Sequence, residues 1–248
     1  MIFVAFVVNT LISILTDMHF LIDSFLSAIL LIGSLDAELL SIVGVSLKVS
    51  FTSTCIASII GIPSGFVIAF SEFRGKRFLV TVLNTLLALP TVAVGLFVYA
   101  FISRRGIFGA WDLLYTQKAI IIGQAILIIP IIITFTIAAV SRIDDRYRKA
   151  ALTLGANGIQ TAQILAREAR FGIVAAIIAA FGRVIAEVGI SMMLGGNAKG
   201  FTRTMTTAMA LEYDKGEFIL SVALGIVLLV VSFTVNVILQ HCQGKARV

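Results

Sequence analysis

Long apolar runs, separated by short polar segments, dominate the chain. Five of them are long enough to cross a membrane as helices, at residues 42–70, 78–102, 119–140, 171–194 and 218–239. A helix rises about 1.5 Å per residue, so about 20 residues cover the ~30 Å hydrocarbon core of a bilayer. The pattern predicts an all-α, polytopic membrane protein with a core of about five transmembrane helices, surrounded by lipid.

Weaker apolar segments precede this core. Residues 1–15 are apolar but short, and the first basic residue is Lys48, so the positive start of a signal peptide is missing. They fit a marginal span, an interfacial segment or a start-site extension, because Met18 is an alternative start. Residues 20–33 predict an interfacial helix. We therefore divide the chain into an N-terminal hydrophobic and interfacial segment at 1–35, a transmembrane domain at 36–240 and a tail at 241–248.

The basic residues favour one orientation of these spans. If the first of the five runs from outside to inside, eleven Lys and Arg lie in cytoplasmic segments and six lie outside. Cytoplasmic loops of membrane proteins carry an excess of Lys and Arg. The segment 141–170 and the tail 241–248 are thus predicted to be cytoplasmic. The net charge of +6 then reflects membrane topology, and we expect no nucleic-acid partner.

Three prolines fall inside the predicted spans. Pro63, Pro90 and Pro130 each lack a backbone donor, so each predicts a kink whose free carbonyl is satisfied by a neighbouring helix. Such kinks either improve the packing of the bundle or bend helices around a cavity that opens alternately to the two sides. The sequence leaves both possibilities open.

The segment 141–170, called the polar elbow below, interrupts the apolar pattern most strongly. A helix is predicted from Asp144 to Leu154, because acidic residues favour the first turn of a helix. Gly155 supplies the left-handed conformation that ends a helix, and a turn follows at residues 157–158. A second short helix is predicted at residues 159–170. Two short helices at a tight turn make a compact surface that a soluble partner can contact.

The spacing Lys149-Ala150-Ala151-x3-Gly155-x8-Ile164-Leu165 resembles the coupling signature of bacterial ABC-importer permeases, EAA-x3-G-x8-I-LP. Lys149 stands where that family usually has Glu, and Ala166 stands where it has Pro. The resemblance implies that the elbow docks in a cleft of a separate ATP-binding subunit. The residues expected at this contact are Asp145, Lys149, Ala150, Ala151, Leu154, Gly155 and Ala156.

Residues 187–218 resemble the tungstate branch of the molybdate/tungstate permeases. The resemblance implies a type I permease core in the cell membrane of a bacterium or archaeon. It implies a homodimer, with ATP-binding subunits inside, a solute-binding protein outside and an oxyanion, tungstate foremost, as substrate. Molybdate and sulfate remain alternative substrates.

Two charges lie inside the fourth predicted span. Arg183 and Glu187 are four residues apart and therefore share a helix face. An unpaired charge at the bilayer centre costs roughly 2.5–3.5 kcal/mol, so the two should pair with each other or face a wet interior. Either they fix the rotation of the helix as a structural ion pair, or they line the translocation path or its gate.

A hydroxyl-rich segment follows the fourth span on the predicted outer side. Asn197, Thr202, Arg203 and Thr204 are candidates for the path or gate, because hydroxyls and a cation donate hydrogen bonds to a tetrahedral dianion. Alternatively, the segment is a solvated loop that contacts the solute-binding protein.

Two motifs that other classes of protein require are absent. The chain has no G-x-x-x-x-G-K-[ST] phosphate-binding loop, so we expect ATP to bind only to the partner subunit and expect no cofactor here. Its two histidines, His19 and His241, lie outside the spans, which disfavours an intramembrane enzyme or metal site. A proton-coupled secondary transporter that uses Glu187 as carrier remains a rival, and it predicts transport without an ATP-binding subunit.

Overall fold

The computed structural model describes residues 24–34 and 36–242, and this part of the chain is helical without any strand. Residues 1–15 and the end of the tail lie outside it. The helices are α1 (Ser24–Gly33), α2 (Ala37–Phe70), α3 (Lys76–Leu86), α4 (Thr91–Ile102), α5 (Gln117–Ser141), α6 (Asp145–Thr153), α7 (Gly158–Ile185), α8 (Gly189–Gly195), α9 (Met205–Asp214) and α10 (Phe218–Cys242), with a 3-10 turn at Gly109–Trp111.

The predicted number of spans agrees with these helices. Three of them, α2, α5 and α10, are each long and apolar enough to cross a membrane. The pairs α3–α4 and α7–α8 bring the number to five if each bent pair counts as one span. Within the interfacial helix predicted at 20–33, the described residues form α1, whose Ala28 is fully buried in a cluster with Ile42 and Leu224. Its interfacial position stays a prediction.

The helices α2 and α5 pack closely against each other along their length. Gly61 and Gly65 of α2 face α5, where a Cβ atom would lie 2.9 Å from Cγ2 of Ile132 and 2.7 Å from Cβ of Thr136. Small residues allow membrane helices to approach in this way. Both helices continue past their prolines, Pro63 in α2 and Pro130 in α5.

The span predicted at 78–102 bends at the predicted place, beside Pro90, but it is divided into two separate helices. It consists of α3 and α4, which meet at an angle of 101° across residues 87–90. Pro90 is the N-cap of α4, where its missing N–H and fixed φ are tolerated. Because α4 has 12 residues and covers only about 18 Å, it does not cross the bilayer alone.

The span predicted at 171–194 is also broken, at a place without proline. The helices α7 and α8 meet at 59°, and residues 186–188 between them are called the α7–α8 break below. The second short helix predicted at 159–170 is not separate. It is the first part of α7, which runs through 28 residues from Gly158 to Ile185.

The polar elbow and the α2–α3 connection lie at the same end of the bundle, called the Gly155 end below. Cζ of Arg148 lies 5.8 Å from the ring centroid of Phe70, the last residue of α2. Nζ of Lys76 donates to the carbonyl of Ala69 at 3.0 Å. These contacts agree with the alternation of loops that the spans predict.

The remaining loops meet at the opposite end, called the Glu38 end. Nζ of Lys199 lies 2.7 Å from Oε2 of Glu38, next to the start of α2. The N–H of Tyr115, just before α5, donates to the carbonyl of Leu194 at 2.8 Å. The segments before α2, before α5 and after α8 therefore lie together, as the predicted topology requires.

Candidate functional site

Local capping produces the turn of the polar elbow. Oδ1 of Asp144 accepts from the N–H of Arg146 at 2.9 Å and so caps α6, as predicted for this acidic pair. Leu154 is the C-cap, and Gly155 follows with φ of +82°, the left-handed conformation expected of it. The N–H of Ala156 then donates to the carbonyl of Ala151 at 3.0 Å, which closes the end of the helix.

The start of α7 is fixed by a second cap. Oδ1 of Asn157 accepts from the N–H of Gln160 at 2.9 Å, and Oε1 of Gln160 accepts from the N–H of Asn157 at 2.9 Å. This reciprocal pair is a capping box. The predicted turn pair at residues 157–158 is therefore an N-cap followed by the first residue of α7.

The elbow presents apolar side chains to solvent. Leu154 is 87% exposed and Ile159 is 73% exposed, although both lie in the most polar part of the chain. Exposed apolar groups with a polar surround mark contact surfaces. Of the other expected contact residues, Lys149 and Ala150 are exposed, and Ala151 is buried. Asp145 is the first residue of α6, and its side chain lies outside the described part of the structure.

Arg183 and Glu187 form the ion pair that their spacing predicts. Nη1 of Arg183 lies 3.2 Å from Oε2 of Glu187. Arg183 lies in the last turn of α7, and Glu187 follows the end of that helix. Oε1 of Glu187 accepts from the N–H of Ile190 at 3.1 Å, so this carboxylate also caps α8. The side chain of Glu187 is 2% exposed, whereas that of Arg183 is 39% exposed.

The α7–α8 break packs against the start of α4. A Cβ atom at Gly189 would lie 3.0 Å from Oγ1 of Thr91 and 3.3 Å from Oε1 of Glu187. Oγ1 of Thr206 donates to the carbonyl of Glu187 at 2.7 Å from the side of α9. Two interrupted helices therefore meet at one place, and α9 is hydrogen-bonded to it.

The hydroxyl-rich segment at the Glu38 end is only partly solvated, since its residues 198–201 are exposed. Thr202, Arg203 and Thr204 are all buried, because the segment folds over the start of α9. Oγ1 of Thr202 donates to the carbonyl of Gly195 at 2.6 Å, and Thr204 caps α9 through a capping box. These hydroxyls already have intramolecular partners, so the geometry favours a role in holding the segment together.

Asn197 shares this role. It adopts a positive φ of 51°, and its Nδ2 donates to the carbonyl of Thr207 at 3.2 Å. Its Oδ1 is buried without a hydrogen-bond partner in the described part of the chain. Asn197 therefore forms a turn that is tied to α9. A place for Asn197, Thr202, Arg203 and Thr204 in the translocation path stays a prediction.

Sequence reasoning missed the partners of Arg203. Nη1 of Arg203 lies 3.5 Å from Oε1 of Glu38 and 3.5 Å from Oε1 of Glu212. Glu212 also pairs with Nζ of Lys215 at 2.9 Å. Glu38 is 165 residues away from Arg203, so no local spacing pointed to this pair. For Glu212 the sole signal was its spacing of three residues from Lys215.

An all-helical bundle with several helices long and apolar enough to cross a membrane, and with a polar elbow at one end, is the architecture of a multi-pass membrane protein. The chain belongs to the family of binding-protein-dependent transport system inner membrane components, which matches residues 61–248. The predicted resemblance to ABC-importer permeases is thereby confirmed. Membership favours a transport component over the intramembrane enzyme considered above.

Relatives of known description agree with this family. The chain is 37% identical over 228 residues to the tungstate uptake system permease protein TupB of Peptoclostridium acidaminophilum. This alignment covers 92% of this chain and 100% of that protein. It is 38% identical over 203 residues to a probable anion ABC transporter permease protein of Haloferax volcanii, covering 80% and 88%. It is 28% identical to the molybdenum transport system permease protein ModB of Escherichia coli K12, covering 75% and 89%.

Solved structures of two transporters share the fold. The inward-facing MetNI methionine ABC transporter superposes with a TM-score of 0.68 at 17% identity, covering 83% of this chain and 94% of that chain. A bacterial ABC transporter that imports alginate gives a TM-score of 0.69 at 17% identity, covering 86% and 81%. The predicted all-α, type I importer core is therefore confirmed.

Proposed function

We propose that this chain is the membrane-spanning subunit of an ATP-driven tungstate importer in a bacterial or archaeal cell membrane. The observation that carries the coupling is the continuity of α7. This helix begins in the polar elbow and ends at the α7–α8 break, 28 residues later. A rigid secondary element is a physical means of transmitting movement between distant sites. A displacement of the elbow would thus reach the place where the two interrupted helices meet.

The partners follow from the two ends of the bundle. The Gly155 end faces the cytoplasm in this proposal, where an ATP-binding subunit contacts the exposed Leu154 and Ile159 of the elbow. ATP is bound and hydrolysed by that subunit, and this chain contributes no catalytic residue or cofactor. A solute-binding protein contacts the Glu38 end, and a second copy of the chain completes the membrane unit.

Tungstate is favoured among oxyanions because two relatives described as tungstate uptake permeases are 37% and 38% identical to this chain. Molybdate and sulfate are the alternatives, since permeases described for these anions are 28% and 21% identical. The proton-coupled alternative has less support. Both carboxylate oxygens of Glu187 are engaged, one by Arg183 and one by the N–H of Ile190.

The substrate is tested by uptake into vesicles that contain the complete complex, its binding protein and internal ATP. We expect ATP-dependent uptake of tungstate, and we expect molybdate and sulfate to compete only in large excess. Equal competition by molybdate would contradict a preference for tungstate. Uptake driven by a pH gradient without ATP would contradict the assignment as an ATP-driven importer. Calorimetry of the binding protein with the three anions gives an independent ranking.

The coupling contact is tested at Gly155, where an added Cβ atom would meet nothing within 4 Å. Gly155→Trp should lower association with the ATP-binding subunit by about tenfold or more, because the new side chain fills the contact surface. Gly216→Trp is the matched control, since Gly216 also has a positive φ and open surroundings but lies at the Glu38 end. Equal association of the two variants would refute the contact.

A further inference from the structure

Arg183 has more hydrogen-bond donors than the protein uses. A guanidinium carries five N–H donors, and Arg183 donates one hydrogen bond, from Nη1 to Oε2 of Glu187. Its other N–H groups have no protein partner among the described residues, and 39% of the side chain is exposed. Arg203, in contrast, is 10% exposed and contacts two carboxylates.

The position of Arg183 along α7 makes these free donors informative. At about 1.5 Å per residue, Arg183 lies roughly 20 Å along α7 from Arg170, the last residue of the polar elbow. If α7 enters the membrane near Arg170, Arg183 lies within the hydrocarbon core, which is about 30 Å thick. Free N–H groups of a cation at this depth require water or an anion, because hydrocarbon offers no acceptor.

The helix face that bears Arg183 leaves room for such an acceptor. Ala179 and Ala186, four residues before and three residues after it, are exposed. A Cβ atom at Gly182 would meet no atom of the described residues within 4 Å. These small side chains do not cover the guanidinium, so its open edge is accessible from one side of α7.

Resting on the proposed function, we propose that Arg183 is a transit contact for the oxyanion. Its open edge donates hydrogen bonds to oxygens of the tetrahedral dianion, as guanidinium groups do to carboxylate and phosphate. Glu187 holds the other edge and neutralises the positive charge. The anion therefore meets oriented donors with no net positive charge to retain it, which permits release.

This assignment predicts different effects for the two partners. Glu187→Gln keeps an acceptor for the N–H of Ile190 but leaves Arg183 unneutralised, so tungstate should bind longer and both KM and maximal uptake should fall. The pair Arg183→Gln with Glu187→Gln removes both charges without leaving one unpaired. It should leave assembly with the ATP-binding subunit intact and lower uptake about tenfold or more, since the charged donor is lost. Arg183→Lys with Glu187 unchanged keeps a cation beside the carboxylate, so it should retain part of the uptake that the double variant loses.

A labelling experiment tests the contact without relying on transport. Cysteine is placed at Gly182 in a complex in which Cys55 and Cys242 are replaced by alanine, and a charged, water-soluble thiol reagent is added. We expect labelling about tenfold faster than at Leu229→Cys, which lies on an exposed apolar face of α10. Tungstate should slow labelling at Gly182→Cys several-fold, and this protection should vanish in the Arg183→Gln, Glu187→Gln background.

Each result of this experiment decides the proposal. Labelling at Gly182→Cys as slow as at Leu229→Cys would overturn it, because the face would then be dry. Protection by tungstate that persists without Arg183 would also overturn it. In either case, tungstate uptake by the parent complex would leave the proposed function standing, whereas absence of that uptake would refute the proposed function itself.

Discussion

Two arginine–glutamate contacts in this protein have similar chemistry and opposite surroundings. Arg203 at the Glu38 end lies between Glu38 and Glu212 and is almost fully buried. Among the described residues, Arg183 at the α7–α8 break pairs with Glu187 alone, and it keeps an exposed edge. The comparison teaches that the number of partners separates a charge that holds helices together from one that is open to a ligand.

The largest effect is expected when the buried contact is broken. Arg203→Leu leaves the carboxylate of Glu212 buried with Lys215 as its remaining partner, so it should destabilise the protein by about 3 kcal/mol. Loss of the folded complex, or a large fall in its unfolding midpoint in detergent, is the readout.

Lys199→Ala is the matched control for this variant. Lys199 also pairs with Glu38, but its side chain is 66% exposed, so its loss should change stability by less than ~1 kcal/mol. If Arg203→Leu were as mild as Lys199→Ala, the buried contact would not be structural and the comparison would fail.

A smaller effect is expected from filling the space where the interrupted helices meet. Gly189→Val places atoms about 3 Å from the side chains of Thr91 and Val92, so these side chains at the start of α4 must shift. Overpacking of this kind costs about 1–3 kcal/mol. The unfolding midpoint of the purified complex measures it.

Gly44→Ala provides the control for overpacking. Gly44 lies within α2, and a Cβ atom there would meet nothing within 4 Å. Alanine should therefore stabilise the helix by about 0.5–1 kcal/mol. A Gly189→Val protein that is as stable as Gly44→Ala would show that α4 and the α7–α8 break are not packed as described.

The smallest effect concerns the hydrogen bond that links the two regions. Thr206→Val removes the donor to the carbonyl of Glu187 and should lower stability by about 1 kcal/mol. Thr52→Val, whose hydroxyl is exposed and donates within α2, should be nearly neutral. Identical unfolding midpoints for the two variants would argue that α9 is not coupled to the break.

The polar elbow was predictable because its signals are local. Asp144 and Gly155 specify a cap and a left-handed residue at the two ends of one short helix. The Arg183–Glu187 pair was predictable for the same reason, since four residues separate its members. Local capping and spacing are independent of how distant helices pack.

The two helix breaks depended on contacts that no local pattern encodes. The bend before α4 was expected at Pro90, but neither its angle of 101° nor the contact of α4 with Gly189 of α8 was. The α7–α8 break has no proline, and it is stabilised by Glu187 and by Thr206 of α9. The burial of Arg203 likewise involves Glu38 and Glu212, and Glu38 is distant in sequence.

The central claim is that the polar elbow and the α7–α8 break move together through α7. The most direct test is the labelling rate of Gly182→Cys in the complete complex, with and without nucleotide trapped in the ATP-binding subunits. We predict a several-fold change in rate on trapping, and we predict that Gly155→Trp abolishes this change. An equal rate in both nucleotide states, or a response that survives Gly155→Trp, would contradict the claim.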